Sequence, residues 1–366
     1  MAGHRQGLRR CYFSSTSEGT YGTAEAITHY ANLQSSLAPV AHEWYSDTEE
    51  ATGKEEETAA DLLAKSARFT LSGRASDKIL PILMSFALGG DTMTQSGGAA
   101  EYMHLIEPAA VGTELVAFTH EQHAAGASDA TAGSSRKYTG CVVDTFRLSG
   151  SRKGWVMFSA DIIGRGDQAG GGAQTEASLA GPTIHYPVGS CDAWVSTGGL
   201  EGSFSVTLPT IASTNTTDLN SSGLTNLKNL MRDFEFTLAN NIQVDDGYIL
   251  DSGTVMGVTA PRGARVQTLT FTLDYTSSTA AFVAWAEANT TTPAFELSCT
   301  TGTQIVDTHY HAFKLFIPQM QVKEITPGEA NGQQTLAFSC QAQDDGTNST
   351  SDFYNWNAEN IDYGST

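Results

Sequence analysis

His120-Glu121-Gln122-His123 combines the residue types of a zinc site with those of a general base. The spacing is one residue short of His-Glu-x-x-His, so one helical face cannot present both rings and the carboxylate. His309 and His311 flank Tyr310 and would point to one side of a strand, a pattern that can bind zinc, but no third ligand lies nearby. All four are read as exposed or hydrogen-bonded histidines. Asp344-Asp345-Gly346-Thr347-Asn348-Ser349 is rich in oxygen but lacks the closing bidentate Glu of a calcium loop. Gly170-Gly171-Gly172 follows a strand, yet neither a helix start nor a lysine comes after it, which excludes a phosphate loop. Arg165-Gly166-Asp167 is a tripeptide common by chance, and Asn215, Asn220, Asn289 and Asn348 sit in glycosylation-type triplets that reflect a Thr-rich composition. There is no Gly-x-Ser-x-Gly and no defensible Ser, His and acid set. No catalytic, cofactor or metal residue is assigned, and the chain is read as a non-enzyme.

The composition points to assembly rather than chemistry. The 366 residues suffice for two ordinary domains. Charged residues are only 16%, and the 36 Gly with many Thr and Ser suit strands joined by tight turns. A net charge of −20 argues against stable binding of nucleic acid. Cys11, Cys141, Cys191, Cys299 and Cys340 show no paired spacing, and four lie in or beside apolar runs. Reduced, buried thiols and a reducing cytosol are expected. No apolar stretch follows the basic residues 1–10, so no signal peptide is expected, and no run is long enough to span a membrane.

The elements repeat. Phe69-Thr70-Leu71 leads through a polar turn to an apolar helix near Ile79–Phe86, and Phe271-Thr272-Leu273 leads to another near Ser278–Trp285. Each is followed by a similar hairpin: Gly140–Leu148 with Trp155–Ala160, and Phe313–Val322 with Leu336–Cys340. The predicted fold is mainly β, with two tandem antiparallel sandwich or barrel units, each carrying one short flanking helix. The predicted organisation is an arm (1–18), unit 1 (19–168), a Gly-rich linker (169–190), unit 2 (191–346) and a polar tail (347–366) that orders only on a partner. Ile79, Ile82, Leu83 and Phe86 form the apolar stripe of the first helix, with Ser76 or Asp77 as its cap; Phe282 and Trp285 do the same in the second. A short helix is also expected over Glu56–Lys65, in an acidic insertion. Strands are expected at Phe204–Leu208, Phe234–Leu238, Val266–Tyr275, Phe295–Cys299, Ala312–Val322 and Thr335–Ala342, most with alternating polarity.

Several segments in this order resemble a known family: Glu18-Gly19-Thr20-Tyr21-Gly22-Thr23, Leu83-Met84-Ser85-Phe86-Ala87-Leu88-Gly89, Tyr102-Met103-His104 and Tyr138–Asp144, then Phe234–Asn241, Arg262-Gly263-Ala264-Arg265 and Leu315-Phe316-Ile317-Pro318. The pattern, from about Glu18 to Asp345, is similar to the major tail tube proteins of long-tailed, siphovirus-like bacteriophages. The resemblance implies a structural virion protein, a β-sandwich with a flanking helix whose rings stack into the hollow tube that delivers the genome. It implies hairpins lining a lumen and long loops clasping the next ring.

On that resemblance, Phe234, Phe236, Leu238, Asn240, Leu269, Phe271 and Leu273 mark the lumen strands, with first-unit counterparts sought at Glu25–Gln34 and Ala67–Gly73. Asp245, Asp246, Tyr248, Asp251, Arg262 and Arg265 mark the inter-ring loop. A negative lumen would let DNA slide without sticking. Because the unit is doubled, three chains closing a pseudo-six-fold ring are favoured over six chains. The implied partners are further copies, a tape-measure protein, a tail terminator, distal tail proteins and passing DNA, with no membrane; the implied location is the virion tail, built in the host cytoplasm. The alternatives are another tail ring of the same fold (a terminator or distal tail protein) and a carbohydrate-binding adhesive sandwich, for which the five Trp would have to share one exposed face.

Overall fold

Alternating polarity over 5–10 residues favours half-buried strands, and strands dominate the computed structural model of the chain. It describes residues 10–31, 33, 40–46, 60–95, 100–110, 112–124, 128, 134–166, 168–196, 224–249, 253–277, 279–280, 282–283, 293–306, 309–344 and 350–365. The first half forms β1 (Arg10–Phe13), β2 (His29–Ala31), β3 (Val40–Ser46), β4 (Ala60–Arg74), α1 (Ile79–Leu88), β5 (Asp91–Gln95), β6 (Tyr102–Ile106), β7 (Phe118–His123), β8 (Ser135–Ser151), β9 (Met157–Gly164) and β10 (Gln168–Ala169). The second forms β11 (Cys191–Ser196), β12 (Leu224–Asn226), β13 (Met231–Ala239), β14 (Val266–Asp274), β15 (Phe295–Val306), β16 (His309–Ile317), β17 (Met320–Ala330), β18 (Gln333–Ala342) and β19 (Asp352–Asn357).

These strands make two antiparallel sheets around a shared apolar core. In the larger sheet two runs of four stand side by side, β3-β4-β9-β8 and β13-β14-β18-β17, joined where β8 pairs β13 from Thr145↔Ala239 to Ser151↔Asp233. Beyond its junction with β9, the first part of β8 turns to pair with β7, which continues to β1 and β2. The smaller sheet runs β12-β11-β15-β16-β19-β6-β5. A two-residue turn closes the β17–β18 hairpin. At Asn331-Gly332, φ is +53° and +74°, as such a turn between twisted strands requires.

α1 departs from the expected stripe. All ten of its residues are buried, including Ser85, whose hydroxyl donates to the Ile82 carbonyl (2.8 Å), and the helix packs against β8 and β6 rather than lying on a surface. The Ile79 N–H bonds the Ser76 hydroxyl (3.3 Å), while Gly89 ends the helix at φ +107°. In the second expected helix, Ala280, Phe282 and Val283 are helical and Phe282 is buried; Trp285 lies outside the described residues.

Other expectations change. Residues 60–65, expected as helix, extend β4, where pairing with β3 outweighs helix propensity. The arm is not free of burial: Cys11, Tyr12 and Phe13 are in the core, held between β2 and β7. Residues 169–190 are fastened to the first half, with Thr183 Oγ1 and the Ile184 N–H donating to the Asp77 carboxylate (3.0 and 3.2 Å) and Tyr186 buried. The C-terminal segment is not a free tail. All six residues of β19 are buried, and the strand is paired on both sides, to β16 and β6. Cys191 and Cys299, opposite each other in the β11–β15 ladder, form a disulfide, where reduced cysteines with no pairing were expected; Cys11, Cys141 and Cys340 are buried free thiols. The expected strand Phe204–Leu208 lies outside the described residues.

Candidate assembly surfaces

The histidines do not converge. On β7, His120 and His123 are three apart in a strand and so face opposite sides. His120 lies between the rings of Phe13 and Phe69 (4.9 and 5.0 Å), and burial pushes its pKa down to about 3, which keeps it neutral. His123 contacts Glu121. His309 and His311 each meet a separate carboxylate, Glu101 (2.6 Å) and Asp77 (3.4 Å). Among the described residues no group of three His, Cys, Asp or Glu could hold a metal, and no helix is long and apolar enough to cross a membrane. Asp344 is described, but residues 345–349 are not. Of the tryptophans whose side chains are described, Trp356 is in the core and Trp194 is half-buried, while Trp155 is 40% exposed in the β8–β9 turn, so they share no exposed face.

The large sheet divides its two faces strictly. Phe234, Phe236 and Leu238 on β13 and Leu269, Phe271 and Leu273 on β14 are buried and fill the core. Glu235, Thr237, Thr268, Thr270 and Thr272 alternate with them on the outer face. The lumen-strand candidates therefore lie on the expected strands but turn toward the core. The first-half strands in the matching places are β3 and β4, the latter containing Ala67–Gly73, whereas the described residues of Glu25–Gln34 contribute β2. Hydroxyls recur across the outer face, as at Thr70, Ser72, Thr145 and Ser149. Charges there are mixed: Asp161 takes a hydrogen bond from Thr70 (2.6 Å) and contacts Arg147 (3.4 Å). The chain's large net negative charge is not gathered on the described part of this face.

Asn240 follows β13 directly and is fully buried. Its amide donates to the carbonyls of Ala87 and Val143 (both 2.9 Å) and its oxygen accepts from Arg265 Nε (2.9 Å), while Arg265 Nη2 reaches the Leu88 carbonyl (2.9 Å). The two residues thus satisfy carbonyls that α1 leaves free at its C-terminus. Arg262 donates to Ala109 and Ala110, Tyr248 to the carbonyl of Lys65, and the Lys65 N–H to Thr254 (2.7 Å). The β13–β14 loop therefore leans back onto the first half of its own chain. Asp245 and Asp246 remain exposed on it, and Asp251 lies outside the described residues.

Beside this loop, where Tyr21 packs near Val244 and Met256, the buried Glu18 carboxylate accepts from the Gly22 and Gly140 N–H groups (2.8 and 2.9 Å) and from Thr119 Oγ1 (2.9 Å). Desolvation nevertheless holds its pKa above the usual range. Gly140 has φ +61°, and a Cβ there would meet Tyr21 at 2.8 Å. The Glu18–Tyr21 segment and the Tyr138–Asp144 segment, far apart in sequence, thus form one structural unit.

A family model described as phage tail tube protein matches residues 16–342. The chain belongs to the phage tail tube protein family. No individual curated protein matches it. Membership makes it a structural protein of the phage tail, associated with copies of itself and with other tail proteins.

For a tail tube protein the free margins of the sheet carry most interest, and the sequence did not single them out. β3 and β17 end the two runs of four, and among the described residues each is paired on one side only. β17 is exposed over Lys323, Glu324 and Thr326–Glu329, and Ala41–Glu43 of β3 are exposed too. Pro327 within β17 suits an open edge, since it has no N–H to give a neighbour. The described large apolar residues that remain exposed lie at the two strand ends. Leu63, Ile249 and Val258 are at the end of the β3–β4 and β13–β14 loops; Trp155, Met157 and Tyr275 are at the opposite end.

Proposed function

We propose that three copies of this chain close into a ring of pseudo-six-fold symmetry, and that stacked rings form the hollow, siphovirus-like tail tube through which the genome is delivered. The carrying observation is the strand order. β3-β4-β9-β8 and β13-β14-β18-β17 follow the same plan, with α1 after β4 and the helical residues Ala280, Phe282 and Val283 after β14, which supports a duplicated tube unit. Their joint, β8 against β13, is a joint between the last strand of one run and the first of the next. Repeating it between chains pairs β17 of one copy with β3 of its neighbour. Unpaired edge strands invite such addition, and closure removes them. Eight strands from each of three chains would give a barrel of twenty-four, wide enough for a channel.

The outer face would then be the lumen wall. Its hydroxyls and mixed, partly paired charges offer DNA no continuous cationic track, so sliding needs no dense negative coat. The tape-measure protein during assembly, and terminator and distal proteins at the tube ends, are the further partners of this reading, in a virion tail built in the host cytoplasm.

Electron microscopy of concentrated protein tests it. Hollow tubes whose cross-section has three-fold symmetry, with six similar lobes alternating in detail, are expected. A protein that stays monomeric, or rings of six chains, would overturn the trimer.

A further inference from the structure

We propose that a cationic cleft at one end of the β8–β13 joint receives the acidic Asp245–Asp246 turn of a second copy in the next ring. This rests on the ring reading above and names the contact that would stack the rings. The cleft, about 260 Å³, lies between the β8–β9 turn and the segment leading into β13, and is lined by Arg152, Lys153, Lys228 and Arg232. It is too small for a nucleotide-sized ligand and suits one or two short side chains.

The charge there runs against the rest of the chain, which has 40 acidic and 20 basic residues. Arg152 and Arg232 share Asp274 as a partner, and Lys228 reaches Asp192 (2.8 Å). Lys153 stands at the tip of the turn with φ +65°, exposed, and makes no ion pair among the described residues. Counting Asp233 as well, four cations face three carboxylates, which leaves the cleft net positive.

The opposite end of the same sheet presents the complement. The β13–β14 loop emerges where β13 finishes, while the cleft lies where β13 begins, so the two sit at opposite ends of one strand axis. Asp245 and Asp246 are exposed on a short 3₁₀ turn, fixed from behind by buried Val244 and Gly247. Exposed apolar side chains flank both ends: Ile249 and Val258 near the acidic turn, Trp155 and Tyr275 near the cleft. Each chain has one cleft and one turn, so every copy in a ring could give and receive once. Opposed charge fixes the register of such a contact, and apolar burial holds it.

Charge reversal tests it on the full-length protein. Lys153→Glu with Lys228→Glu, and separately Asp245→Lys with Asp246→Lys, are expected to abolish tubes while single rings persist in sedimentation and negative stain. The quadruple variant is expected to stack again. Thermal melts of all three against wild type identify any variant that has merely unfolded, and Lys153→Arg is expected to keep tubes. Tubes of unchanged length in both double variants, or no recovery in a folded quadruple variant, would overturn the contact. Wild-type protein that forms no rings at all would sink the ring reading instead.

Discussion

Glu359 shows how single residues bind the C-terminal segment to the fold. Its carboxylate receives His29 Nε2 (2.9 Å), the Tyr363 hydroxyl (2.6 Å) and Lys78 Nζ (3.2 Å). Desolvation alone would raise its pKa, but the His29 bond and charge, Tyr363 and Lys78 together hold it at about 2, below its ordinary 4.5. A depressed carboxylate contributes stability that is complete above its unfolded value and is lost as pH falls through the folded one. Urea midpoints should therefore drop as pH falls from about 4.5 to about 2, with a ceiling on the order of 3 kcal/mol from this group. In Glu359→Gln that acid-induced loss should be visibly smaller, at the expense of a lower plateau at pH 7. Identical pH profiles for the two proteins would show that the ionised form is not held as described.

At the scale of elements, what could be read from the sequence depended on whether polarity alternates. β13 and β14 set apolar residues at every second position, and the expected strands there end within one residue of those found and start no more than three residues away. β7 (Phe-Thr-His-Glu-Gln-His) and β19 (Asp-Phe-Tyr-Asn-Trp-Asn) read as polar, yet every residue of both is buried. In β19 the partners of Asn357 come from distant chain segments: His104 reaches its side chain (3.2 Å), and its amide donates to the carbonyl of Asp77 (3.1 Å). No local pattern encodes such partners. The Cys191–Cys299 bridge was hidden for a similar reason, because 108 residues separate two cysteines that meet only through strand register. Thiol titration of unfolded, unreduced protein should find three free thiols, those of Cys11, Cys141 and Cys340. Reduction, or Cys191→Ala with Cys299→Ala, should lower unfolding free energy by about 2–4 kcal/mol. Five titratable thiols in the native preparation would mean the bridge does not form.

Over the whole molecule, the open edge of β17 can be tested without disturbing the interior, because the strand states which of its N–H groups face outward. Ala330 and Gln333 flank the two-residue turn Asn331-Gly332, so Ala330 is a hydrogen-bonded partner of β18. Residues of the same parity, Gly328 and Thr326, also aim at β18. Pro327, Ile325 and Glu329 then direct their nitrogens to the open side, which agrees with the position of a proline that has no proton to offer. Glu329 is exposed and can be replaced without touching the core. Glu329→Pro should remove an outward donor, leave the melting temperature within a few degrees of wild type, and shift the protein from rings to single chains in sedimentation. Thr326→Pro, which removes a bond to β18 itself, should instead lower the melting temperature of the single chain. If Glu329→Pro forms rings as readily as wild type, β17 does not join β3 through its backbone, and the ring must close through another surface.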